Sequence, residues 1–240
     1  MPRYGAPVQR LRIDIWSDIA CPWCYVGKRR LEQALARFPH RDDVDLVWRA
    51  FELDPRAPRV RDTSQSYAER LAAKYGTTPA QAQAMIDRMV DTAAQDGLAL
   101  RFDHIRPGNT FGAHRLLHLA HERGTQDALK ERFLRAYLTE GQAIGEPDVL
   151  RPLAVEVGLD AREVGDVLDG DRYTAEVRQD EAIARELGIT GVPFFVLGGR
   201  LGVSGAQPAD VLLGALGRAW SERGDPELVE GAVCGPDGCD

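Results

Sequence analysis

Cysteine is scarce here and unevenly spread. The 240-residue chain has four, and residues 25–233 contain none. A small secreted domain stapled by disulfides would be denser in cysteine, and a chain of this length buries a core without staples. Lysine is scarcer still: of 30 basic residues only Lys28, Lys74 and Lys130 are lysine. No run approaches the ~18 consecutive apolar residues of a membrane helix, and the first ten residues lack the apolar stretch of a secretory signal. The expected compartment is therefore the cytoplasm. A formal charge of −7 argues against a nucleic-acid partner, which would need a basic face. Hydrophobic residues at 44% and charged residues at 28% exclude a disordered chain.

What cysteine there is falls in two pairs, Cys21/Cys24 and Cys234/Cys239. Leu11-Arg12-Ile13-Asp14-Ile15-Trp16 alternates apolar and polar residues, as a strand does. Cys21-Pro22-Trp23-Cys24 follows, then a helical stripe of Leu31, Ala34, Leu35 and Phe38, and a second strand over 44–51. From about residue 62 to 187 the pattern is helical, with its clearest stripe at Ala82, Met85, Ile86, Met89, Val90 and Ala93. The last of these helices, 173–187, stops at Gly188. Val192-Pro193-Phe194-Phe195-Val196-Leu197, the Gly198-Gly199 turn and the strand after it read as a hairpin. Val211, Leu212, Ala215, Leu216, Ala219 and Trp220 mark a final helix. The resulting fold is α/β, a β-α-β unit and an α-β-β-α unit separated by a large all-helical insertion. Its parts are residues 1–61 with 171–223, the helical insert 62–170, and an acidic tail 224–240.

Two thiols spaced by two residues at a helix start suit redox chemistry. The helix N-terminus offers unpaired N–H groups and partial positive charge, which favour a thiolate. Cys21, at that end, is the expected nucleophile with a lowered pKa; Cys24, one turn on and shielded, resolves the mixed disulfide. Pro22 fits the first turn because it has no N–H to leave unpaired. Trp23 completes the motif and brings no cation. Asp18, three residues upstream, would raise the Cys21 pKa if it lay close. A structural disulfide or half a zinc site are the competing readings, but zinc wants four ligands and the other cysteines lie far off.

Asp18-Ile19-Ala20-Cys21-Pro22-Trp23-Cys24-Tyr25-Val26-Gly27 resembles the active-site segment of the DsbA-like oxidoreductases, closest to the FrnE-like branch. Gly191-Val192-Pro193-Phe194-Phe195-Val196 is similar to the loop that carries a cis-proline facing the CxxC in that superfamily, and Asn109-Thr110 with Ala113-His114-Arg115-Leu116 is similar to the helical insert of the branch. The resemblance implies a thioredoxin-like fold interrupted by helices, and thiol–disulfide exchange or disulfide isomerisation on protein substrates or small thiols such as glutathione. It implies no cofactor. Val192 and Pro193 would present the substrate backbone. Kappa-class glutathione transferases and hydroxychromene-carboxylate isomerases resemble the same fold but usually carry serine where Cys21 stands. A chaperone-like binding protein with redox-sensing cysteines is the rival from another class.

Cys234-Gly235-Pro236-Asp237-Gly238-Cys239 holds turn chemistry between two thiols, so a small disulfide ring is expected. So short a ring closes little chain entropy, which suits exchange better than stabilisation. Some FrnE-like proteins have such a pair, and the resemblance implies an auxiliary redox role for it; a loose disulfide of no consequence and a weak metal-binding tail are the competing readings. His114, His118 and His121 share one helical face, a spacing that can ligate metal, but no carboxylate motif accompanies them and no metal site is expected. The glycines near residue 200 form no nucleotide fingerprint.

Overall fold

A computed structural model describes residues 10–59 and 64–223, together with the backbone of Cys234–Gly235 and Gly238–Cys239. Four strands form one sheet: β1 (Leu11–Ser17), β2 (Val44–Ala50), β3 (Phe194–Leu197) and β4 (Leu201–Ser204), in the order β2-β1-β3-β4. β1 and β2 are parallel, as a strand–helix–strand crossover requires; β1/β3 and β3/β4 are antiparallel. Leu11, Ile13 and Ile15 project from alternate positions of β1 into a core with Leu31 and Ala34 of α1 (Pro22–Ala36) and with Leu212 and Leu216 of the C-terminal helix Ala209–Ser221. Trp16 points the other way, and its indole N–H donates to the Asp180 carbonyl at 2.9 Å. The Gly198-Gly199 turn takes φ of 58° and 70°, left-handed values that glycine adopts without a Cβ clash.

The second core is helical. α2 (Tyr67–Tyr75), α3 (Pro79–Gln95), α4 (Phe111–Glu122), α5 (Gln126–Leu138), α6 (Pro147–Glu156) and α7 (Ala161–Asp169) build it, and α8 (Thr174–Glu186) leads back to the sheet, which makes the C-terminal helix α9. Ser66 and Thr78 begin α2 and α3 with reciprocal capping boxes to Glu69 and Gln81. Leu116, Leu119, Phe133 and Leu134 are fully buried there together with Ile19, Tyr25 and Val26 from around the CxxC, so the two parts share one apolar boundary. The structure has the thioredoxin-like architecture with helices inserted between β2 and β3.

α5 helps to join them. Its Gln126 side chain accepts from the Trp48 N–H and donates to the Trp48 carbonyl, both at 2.9 Å, closing β2 as a backbone edge. Asp127 and Glu131 take the buried ammonium of Lys28 on α1 at 3.1 and 3.4 Å. Among the described residues no helix is long and apolar enough to cross a membrane.

The thiol pair and its cleft

Cys21 is the N-cap of α1, with extended backbone and no side-chain cap, and Pro22 follows at the first helical position. Cys21 is 5% exposed and lines the cleft, whereas Cys24 is fully buried. Both are free thiols. The loop before β3 folds over them with a cis Val192–Pro193 bond, and the Cys21 thiol lies 3.5 Å from the Val192 carbonyl. Gly27, one turn beyond Cys24, allows this approach. A Cβ there would meet the Pro193 Cγ at 2.8 Å, below any normal contact. A helical glycine costs about 1 kcal/mol relative to alanine; here the loop occupies the space a methyl would need.

Beneath the thiols lie three buried charged or titratable groups. Asp18 accepts from the Leu53 N–H at 2.8 Å and lies 3.3 Å from His114 Nε2. Burial opposes its charge, but the His114 contact, the Leu53 N–H and the charge of Lys130 outweigh it and hold the carboxyl below its usual range. Lys130 reaches in from α5, donates to the Ser17 carbonyl at 3.2 Å and sits 5.4 Å from the centre of the Trp48 ring. Burial pushes its pKa down to about 8, against the opposing pull of Cys24, Asp18 and Cys21.

These groups reverse one expectation. Cys21, not Cys24, is the thiol whose pKa is pushed up, by its hydrogen bond to Cys24, by burial, and by the charges of Cys24 and Asp18. Burial also opposes charge on Cys24, yet the hydrogen bond from Cys21, the Lys130 ammonium and the otherwise unsatisfied Ser17 hydroxyl carry its pKa below the ordinary value. The helix terminus that favours a Cys21 thiolate is outweighed because the cation lies on the inner side of the pair. Of the two thiols, the inner one is therefore the readier to carry negative charge.

Cys21 opens into a cleft of about 920 Å³ bounded by the CxxC, the 191–192 loop, α2 and α3. Trp23, Leu53, Tyr75 and Met85 line it; they are four of the seven exposed large apolar side chains among the described residues. Met85 belongs to the stripe expected to be core, but it faces this opening. Tyr67 of α2 is close enough for the Cys21 charge to add to burial in pushing its hydroxyl up to about 12.

The histidine face divides its duties. His114 pairs with Asp18 and His118 lies 3.1 Å from Asp180 Oδ2, while His121 is exposed. His114 sits behind Asp18, away from the cleft wall. Among the described residues no three His, Cys, Asp or Glu side chains gather as a metal site. In the tail, Cys234 and Cys239 face each other as Cα partners of a two-stranded pairing; their side chains, and with them the expected disulfide ring, lie outside the described residues. Lys130 was missed by sequence reasoning. Its signal was its rarity: in a chain that otherwise uses arginine, Lys28 and Lys130 occupy buried pockets where a compact ammonium sits.

A mixed sheet flanked by helices, a CxxC at the first helix start and a proline loop over it define the thioredoxin class of redox folds. The chain belongs to the DsbA-like thioredoxin domain family, whose model matches residues 12–217. It is 51% identical to a probable DsbA oxidoreductase from Streptomyces coelicolor, with a TM-score of 0.85 over 96% of this chain and 99% of that one. It is 30% identical to the uncharacterized protein YwbO of Bacillus subtilis, over 84% of this chain and 93% of the relative. A 2-hydroxychromene-2-carboxylate isomerase structure, 16% identical, shares the fold at a TM-score of 0.61 over 86% of this chain and 95% of the other. Its family makes the protein a DsbA-like oxidoreductase.

Proposed function

We propose that this protein is a thiol–disulfide oxidoreductase of the FrnE-like branch that exchanges and isomerises disulfides through Cys21 and Cys24 in the cytoplasm, on protein substrates or small thiols such as glutathione. The thioredoxin-like unit, residues 1–61 and 171–223, carries the thiols; the helical insert, 62–170, supplies Lys130 from below and α2 and α3 as the far wall of the cleft. The observation that carries this reading is the ordering of the two sulfurs, one at the cleft and one beneath it over a buried cation.

In the reduced form Cys24, once ionised, takes the Cys21 proton as a substrate disulfide approaches. Cys21 then attacks one substrate sulfur; a Cys21–substrate bond forms, the substrate S–S bond breaks, and the leaving thiolate takes up a proton. Cys24, once its proton is lost, attacks Cys21; the Cys21–Cys24 bond forms, the Cys21–substrate bond breaks, and the second substrate sulfur leaves as a thiolate that takes up a proton, so the enzyme pair is oxidised and the substrate reduced. The Lys130 ammonium stabilises the inner thiolate, and Val192 and Pro193 orient the substrate backbone beside Cys21. Run backward, the same steps oxidise a dithiol substrate; stopped at the mixed disulfide, they permit isomerisation.

The test is a trap. Cys24→Ser should accumulate a mixed disulfide with substrate at residue 21, read by mass spectrometry, and Cys21→Ser should accumulate none. Absence of reductase and isomerase activity in the unmutated protein would reject the reading. A kappa-class glutathione transferase or hydroxychromene-carboxylate isomerase activity is the alternative reading, and a glutathione-conjugation assay separates the two. The four exposed apolar side chains of the cleft favour a further client-holding role, which Cys21→Ser would spare in an aggregation assay.

The tail pair is proposed as an auxiliary couple that exchanges with Cys21/Cys24 or with substrate. Replacing Cys234 and Cys239 with serine should then slow turnover; unchanged kinetics would dismiss the relay.

A further inference from the structure

The cleft has a charge pattern at odds with the molecule around it. The protein is acidic, with a formal charge of −7. Yet among the described residues the cationic side chains that line the cleft above the thiols are Arg70, Lys74 and Arg88, against the single carboxylate of Asp54. α2 supplies Arg70 and Lys74, four residues apart on one face, interleaved with Tyr67, Leu71 and Tyr75, which line the cleft too. α3 supplies Arg88 beside Met85 and Met89. Lys74 and Arg88 are exposed, and neither makes an ion pair with any described residue. Arg70 spends its guanidinium on the Gln65 carbonyl and the face of Tyr67, 5.6 Å from the ring centre, which holds it at the cleft.

Resting on the thiol–disulfide reading above, we propose that this cleft selects cysteine-bearing peptide segments that carry carboxylates close to the reacting sulfur, with Arg70, Lys74 and Arg88 as specificity-determining residues. Apolar walls alone would accept any hydrophobic cysteine peptide. Three cations around them add attraction for an acidic segment, repel a basic one, and act on the encounter rate as well as on residence. The bond changes are those already given: Cys21 joins one substrate sulfur while the other leaves as a thiol, and Cys24 then closes the enzyme disulfide as the Cys21–substrate bond breaks and releases the second substrate thiol. The carboxylates take no part in them. They hold the segment across α2 and α3 while its disulfide lies at Cys21.

The experiment uses the reduced full-length protein and two disulfide-bridged peptides that differ only in having glutamate or lysine at the positions flanking one cysteine. Oxidation of the CxxC is followed by stopped-flow tryptophan fluorescence, with uncharged hydroxyethyl disulfide as a third substrate. The glutamate peptide should react faster by on the order of tenfold at low ionic strength, and the ratio should fall toward one as salt is added. In Lys74→Glu/Arg88→Glu the ratio between the two peptides should invert; it is measured within one variant, so its absolute rate does not matter. Equal rates for the two peptides in the unmutated protein, or a preference that ignores salt, would overturn the proposal. Failure of hydroxyethyl disulfide and both peptides to oxidise the CxxC would instead overturn the exchange reading beneath it.

Discussion

Lys130 and Cys24 form a vertical pair: the ammonium, tethered to the Ser17 carbonyl at 3.2 Å, lies beneath the inner sulfur and lowers its pKa from a helix more than a hundred residues away. Lys130→Met should therefore raise the first thiol titration of the reduced pair, leaving roughly tenfold less thiolate at neutral pH if the shift is about one unit. Far-ultraviolet thiolate absorbance against pH reads this directly. A titration that does not move would remove Lys130 from the redox site.

Asp18 should act in the opposite sense. Its buried charge adds to the forces that push Cys21 up. Asp18→Asn should shift the Cys21 titration downward, and the same absorbance measurement would show it. The two variants moving in the same direction would contradict the electrostatic account.

Lys130 also predicts how stability depends on pH. Its folded pKa, about 8, lies below the ordinary 10.5. Between these values the unfolded chain binds more protons, so this residue's contribution to stability rises with pH over that window and is flat on either side. The gain is at most about 3 kcal/mol. In a Cys21→Ser/Cys24→Ser background, the urea-unfolding free energy with and without the further substitution Lys130→Met should differ in slope across this pH window. Parallel curves would mean that the lysine is not charged under cost at pH 8.

Gly27 makes a prediction about shape. On helix propensity alone Gly27→Ala would stabilise α1 by about 1 kcal/mol. The 2.8 Å approach to Pro193 Cγ says that the loop must move instead. Thermal unfolding should occur at a lower temperature, and reaction of Cys21 with substrate should slow as Val192 shifts. A raised Tm would show that the loop yields freely.

The parts of the site near in sequence were legible, and those brought in by packing were not. Cys21, Pro22 and Cys24 declare themselves because a strand, a turn and a helix start in ten residues. The hairpin after Pro193 was readable from two glycines between apolar runs. Lys130 and Met85 were not, since a helical stripe says which residues share a face and not what that face meets. Met85 follows the period of Ile86 and Met89 but meets the cleft. The pKa order of the thiols failed for the same reason: the helix terminus is local, the buried cation is not. His114 and His118 looked like one constellation because they stand four positions apart on a helix, yet each turns to a different aspartate.

Gln126 has the last consequence. By saturating both backbone groups of Trp48, with Asp180 Oδ2 taking the N–H of Ala50 at 2.9 Å, the protein blunts the rim of its sheet against zipper-like association with other extended chains. An enzyme with the proposed activity on protein disulfides would meet such chains constantly. Side-chain amide and carboxylate plugs on β2 would let it engage them at the thiols without its sheet being extended by them into an aggregate.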